Sequence, residues 1–150
     1  MNPSESEIPA GPRLYSISSI DIATFFGSWL AGSILISRNF TRLGNHDSGR
    51  NAILLGIASS VALVLVTLSI VVPEGAERAL RHRIQAAQVA VIHLIVKRVQ
   101  GAALTSHAAG GGEFFSRWRA FGVSLLVIPG ALALFLGVAY LFPNLPALRE

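Results

Sequence analysis

Histidine carries most of the chemical potential of this chain, because it has four histidines and no cysteine. Without thiolates there is no disulfide framework, no thiolate metal site, no iron–sulfur ligation and no cysteine nucleophile. The four are His46, His82, His93 and His107. His93 alone lies well inside an apolar segment, and an intramembrane ionisable group is a functional candidate. The plain alternative is a neutral imidazole bonded to a neighbouring helix. His82 and His93 fall nearly in line on a helix but roughly 16 Å apart along its axis, so one haem cannot use both. His46-Asp47 is a loop pair with no third ligand at useful spacing.

The remaining polar residues point away from catalysis. No serine has Gly-x-Ser-x-Gly surroundings, and no two carboxylates are spaced for acid–base work. Glu74, Glu77 and Glu113 fall near arginines and read as solvated ion pairs. Gly110-Gly111-Gly112 has no strand before it and no Lys-Ser/Thr after it, so it reads as a flexible joint within a Gly/Ala-rich loop over 101–113 rather than a phosphate loop. Ser18-Ser19-Ile20-Asp21 fits a capping box, with Ser18 as N-cap. Placed deeper, Asp21 would be a proton-relay carboxylate. Asn39-Phe40-Thr41 matches a glycosylation triplet, read as chance in an inward-facing loop. The expectation is no enzyme, and no catalytic, cofactor-binding or metal-binding residue.

The elements that must carry these residues follow from composition. Of 150 residues, 52% are hydrophobic and 13% charged, and mean hydropathy is +0.58. Ordinary soluble domains hold about 25% charged residues. So low a supply cannot cover a water-facing surface, which argues against a soluble enzyme and a disordered chain alike. The fold class expected is all-α: a polytopic membrane bundle of three transmembrane helices plus one short fourth helix, spanning or interfacial.

A crossing helix needs about 20 apolar residues. Residues 51–73 are uncharged, with Pro73 as a stop, and so are 120–148, with Pro143 and Pro146. The first span is shorter, uncharged over 22–37. The fourth, 84–96, lies between Arg81-His82-Arg83 and Lys97-Arg98 and covers roughly 20 Å. Helices are expected at about 19–37, 51–72, 79–100 and 118–142. A flexible tail, 1–17, precedes a single transmembrane domain over 18–148, and no basic n-region marks a secretory signal.

Four spans with the N-terminus outside put seven of the 12 basic residues inside, whereas three spans with it inside put eight there. The first arrangement, with 38–50 cytoplasmic and both termini outside, is the one expected here. The 38–50 segment reads as a polar turn, with Gly44-Asn45 and Ser48-Gly49 as turn pairs. Arg117-Trp118-Arg119 reads as an interfacial anchor. Small residues at helical spacing (Gly27/Ala31 or Ser28/Gly32, then Ala52/Gly56/Ser60) predict close contact between the first two spans. Pro129-Gly130 predicts a kink in the last.

Asn39-Phe40, Leu43-Gly44, Gln100-Gly101, His107, Gly111-Gly112, Trp118-Arg119 and Gly122 form a pattern over roughly residues 14–142. In that pattern the chain resembles a group of small bacterial inner-membrane proteins with a Gly/Ala-rich first span. The resemblance implies a multi-pass protein of the bacterial inner membrane and brings no activity with it.

The function expected is structural or accessory, packing against itself or a larger membrane complex, with the lipid bilayer as surroundings and no nucleic acid. The alternative is a small homo-oligomeric transporter or channel. For that role Thr24, Ser28, Ser59, Ser60, Thr67, Ser69 and His93 offer a thin polar lining.

Overall fold

The computed structural model describes residues 11–69 and 75–143. Five helices make up the described chain: α1 Ile17–Arg42, α2 His46–Ser69, α3 Glu77–Val99, α4 Gly101–Ala109 and α5 Arg117–Leu141. The architecture is an all-α bundle, and α1, α2 and α5 are each long and apolar enough to cross a membrane. The chain is thus a multi-pass membrane protein. The α3–α4 pair is bent by 66° at Gln100 and would be a fourth span if counted as one. The expected stops at Pro73 and Pro146, most of the 1–17 tail and the end of the 18–148 domain lie outside the described residues.

The centre of the bundle is α1, against which α2, α3 and α5 all pack. Its residue Ser28 has φ 66° and ψ −176°, which breaks the helix into arms at 17–27 and 29–42. The arms fold back on each other. Asn39 bonds both backbone groups of Tyr15, although a straight helix would hold them about 36 Å apart. Near the turn, a Cβ on Gly32 would collide with the Thr24 hydroxyl. Length alone counts α1 as one rod, but neither arm exceeds about 21 Å, short of a hydrocarbon core of about 30 Å.

The other helices follow these arms. α5 runs parallel to the first: Leu14 and Phe114 form a parallel bridge, and Ser124 donates to Ala23 O at 3.3 Å. Both helices open on a serine N-cap, Ser16 accepting from Ser19 N and Ser116 from Arg119 N. α3 runs antiparallel to the first arm, with Gln85 at Phe25 and His93 at Asp21. α2 runs antiparallel to the second arm. Gly56 leaves room for Ser33, and Gly49 for Ser37 and Thr41.

Several expectations are corrected. The N-cap is Ser16, two residues before the expected Ser18, so Asp21 is not a cap. Much of the expected polar turn is helical: α1 runs to Arg42, α2 starts at His46, and Ser48-Gly49 lies within α2. Only Gly44, at φ 81°, and its neighbours turn, with Asn45 accepting from Ser48 N at 3.1 Å. The expected loop at 101–113 is helical as far as Ala109, whereas the glycines read as its joint do form the turn after it, Gly111 at φ 75°. Gly27 faces Ser124 of α5, not α2, because the reversal at Ser28 turns the first arm away. Pro129, expected to kink the last span, lies inside α5.

Candidate functional site: a broken helix with a buried polar seam

The seam between α1 and α3 holds most of the buried polar chemistry. Breaking a helix frees carbonyls that would otherwise accept from residues four positions on. In a low-dielectric bundle, freed carbonyls need partners. The Gln85 amide supplies one, donating to Phe25 O and, at 3.5 Å, to Thr24 O. One helical turn further along α3, Gln88 is buried, and its Oε1 has no protein donor. Ser28 itself is in a region nearly reserved for glycine, and such strain clusters at functional sites.

Further toward the α1 termini, Asp21 Oδ2 lies 2.9 Å from His93 Nδ1. The Asp21 side chain is 23% exposed and that of His93 44%. The second carboxylate oxygen, Asp21 Oδ1, is buried without a donor among the described residues. At this distance the imidazole and the carboxylate are hydrogen-bonded, and the second oxygen can accept a further donor or a cation. Among the described residues this is the one ion pair between two helices of the bundle, and it sits part-buried on the flank where α1 meets α3.

A fully buried polar clasp closes the seam at the terminal end. Asn39 accepts from Tyr15 N at 2.7 Å and donates to Tyr15 O at 2.8 Å. Its amide also lies 3.3 Å from Gln100 Oε1, and Gln100 donates to Ile36 O at 2.9 Å. Asn39, expected in a loop with its glycosylation triplet read as chance, is completely buried in α1. Gln100 sits at the bend between α3 and α4 and satisfies two segments at once.

The remaining candidates scatter. His46 and His82 are exposed on α2 and α3. His107 packs on Gly112, where a Cβ would meet its ring, and its Nε2 lies 3.1 Å from Glu113 O. Asp47 is in the first turn of α2, 3.9 Å from Arg50. Glu113 forms an exposed ion pair with Arg13, as expected of a loop carboxylate. Glu74 is outside the described residues. The hydroxyls expected to line a path mostly bond their own helix: Thr24 to Ile20 O, Ser60 to Gly56 O, Thr67 to Leu63 O and Ser69 to Leu65 O. Such back-bonding leaves little hydroxyl capacity for a solute.

Gln85, Gln88, Gln100 and Asn39 were missed as a set. Their signal is present in the sequence: two glutamines in α3, spaced so that Gln85 and Gln88 share a face, and a third, Gln100, at its end. Gly27-Ser28 in the uncharged run 22–37 is a second signal, since that run is the shortest of the three expected full crossings.

Comparison with protein-family models, curated proteins and solved structures finds no match.

Proposed function

We propose that this protein moves protons, alone or with a small solute, across the membrane, using the Asp21–His93 pair beside the broken helix. The observation that carries the reading is the conjunction of that pair with the reversal at Ser28. Ionisable groups inside a bundle mark ion and proton paths. Helices interrupted at mid-depth, with carbonyls and polar side chains at the break, build transporter binding sites. Here Gln85, Gln88 and the carbonyls of Thr24 and Phe25 surround the break, and Asp21–His93 sits between it and the bundle end.

The same reading assigns an orientation. Arg13, Arg38, Arg42, Arg50, Lys97, Arg98, Arg117 and Arg119 belong to element ends gathered at one end of the bundle. They are eight of the chain's 12 basic residues. Cytoplasmic faces carry such an excess. In this arrangement α1 enters from the cytoplasm and returns, while α2, α3 and α5 cross. Neither topology weighed from the sequence has this form, because both treated α1 as a crossing helix. A bacterial inner membrane is the setting we propose, consistent with the resemblance of the sequence.

The second reading is a structural or accessory protein that packs against itself or a larger complex. The close seams at Gly27–Ser124 and Gly56–Ser33 favour it. Purified protein in liposomes loaded with a pH-sensitive dye separates the two. An acid pulse should collapse across wild-type vesicles, and Asp21→Asn and His93→Gln should each slow the collapse tenfold or more while eluting as folded protein. Equal rates in wild-type, variant and empty vesicles would leave the structural reading standing.

A further inference from the structure

Two arginines converge on one aromatic ring at the basic end of the bundle. Arg42, at the end of α1, places its guanidinium carbon 4.7 Å from the Phe115 ring centroid. Arg119, in the first turn of α5, places its own at 4.3 Å. Their carbons cannot be further apart than those two distances combined. Phe115 is fixed in place: it is buried, the Tyr15 ring packs against it at a tilt of 38° with centroids 4.7 Å apart, and its N–H donates to Leu14 O at 2.8 Å. The ring therefore presents both cations on a rigid base.

Neither guanidinium has a carboxylate among the described residues. The nearby acid, Glu113, is paired with Arg13. Two like charges held this close repel each other unless an anion lies between them. Space for one exists. A cleft of about 550 Å³ opens beside Arg119, lined by Arg13, Glu113, Phe114, Phe115, Ser116 and Arg119, and Arg42 approaches it over the Phe115 ring rather than lining it. We propose that this cleft binds a phosphate group, and that the phosphate is the headgroup of an anionic phospholipid. Planar guanidinium forks suit phosphate oxygens.

The lipid source rests on what surrounds the cleft. Trp118, one residue before Arg119, is 81% exposed, as expected of an indole at headgroup level. Further along the same helix Leu125, Leu126 and Leu132 are exposed and give acyl chains an apolar surface. A headgroup held by Arg42 and Arg119 can lay its chains along this face of α5. The site is independent of the Asp21–His93 reading, because no residue is shared.

The test is binding of short-chain phosphatidylglycerol to the full-length protein in neutral detergent, followed by Trp118 fluorescence. Phosphatidylcholine and inorganic phosphate serve as separate arms. A contribution of about 1 kcal/mol per basic residue at a lipid surface predicts roughly 30-fold weaker phosphatidylglycerol binding in the R42Q/R119Q double variant. Arg78→Gln, at the other end of α3, should bind as wild type. Arg119→Lys keeps the charge without the fork and should fall between, so a folding defect in the double variant does not decide the matter. Unchanged affinity in the Arg119→Lys and double variants would overturn the site. Inorganic phosphate that competes at the concentration expected of the lipid would overturn the lipid source.

Discussion

Asn39 bonds both the N–H and the C=O of Tyr15, 24 positions earlier in the chain. This pairing mimics a backbone ladder with one side chain, and it joins the two ends of α1. It also ties α1 to α3 through Gln100. The clasp is completely buried, so it stays stable only while every member is paired.

Replacing Asn39 tests the clasp. Asn39→Ala strands both Tyr15 backbone groups in the bundle. A loss of about 2–4 kcal/mol is expected, from the desolvation cost of two orphaned groups. It should appear as a large drop in thermal midpoint in detergent. Gln100→Ala, which frees Ile36 O, should cost less. A midpoint unchanged by Asn39→Ala would mean that the two ends of α1 are not joined this way.

Ser28 offers a substitution that should help. Its φ of 66° with ψ of −176° is nearly glycine-only territory. Ser28→Gly should therefore raise stability by about 1 kcal/mol or more, and Ser28→Val should lower it. In a continuous crossing helix the order would reverse, since glycine is among the poorest helix formers. The sign of the Ser28→Gly effect thus separates a reversed α1 from a straight one.

Tight seams predict where bulk fails. A Cβ on Gly56 would run into the Ser33 side chain, and one on Gly27 would lie 2.8 Å from Ser124 Cα. Gly56→Leu and Gly27→Leu should each cost at least the 1–3 kcal/mol typical of overpacking. Gly130 and Gly137 meet nothing on α5, so Leu there should leave the midpoint within about 0.5 kcal/mol of wild type. Equal tolerance at all four positions would dissolve the proposed α1–α2 and α1–α5 contacts.

Topology can be read with single cysteines, since the native chain has none. Cysteines at Gly11 and Asp47 should behave alike toward a membrane-impermeant thiol reagent on whole cells, both protected. A cysteine at Gly75 should react. Opposite behaviour of Gly11 and Asp47 would restore α1 as a crossing helix and return the N-terminus to the other side.

Composition and uncharged runs determined by themselves that this is an all-α membrane protein, and they located α5 closely at both ends, while α2 starts a turn earlier than its uncharged run. That is legible because hydrocarbon demands long apolar stretches, a property of the chain alone. The N-caps were not legible in this way: spacing alone points to Ser18 for the first, whereas the folded chain uses Ser16, and Ser116 opens α5. The path of α1 was decided only by the tertiary structure. Apolar residues 22–37 satisfy a crossing and a hairpin equally well, and the choice turns on partners far away: Gln85 for the carbonyl freed near Ser28, Gln100 and Tyr15 for Asn39. The same holds for the site. Asp21 at a helix start reads as a cap until α3, 72 positions later, brings His93 to 2.9 Å. Local preference set the helices, whereas satisfaction of buried polar groups, which is a long-range constraint, set how they fold upon one another.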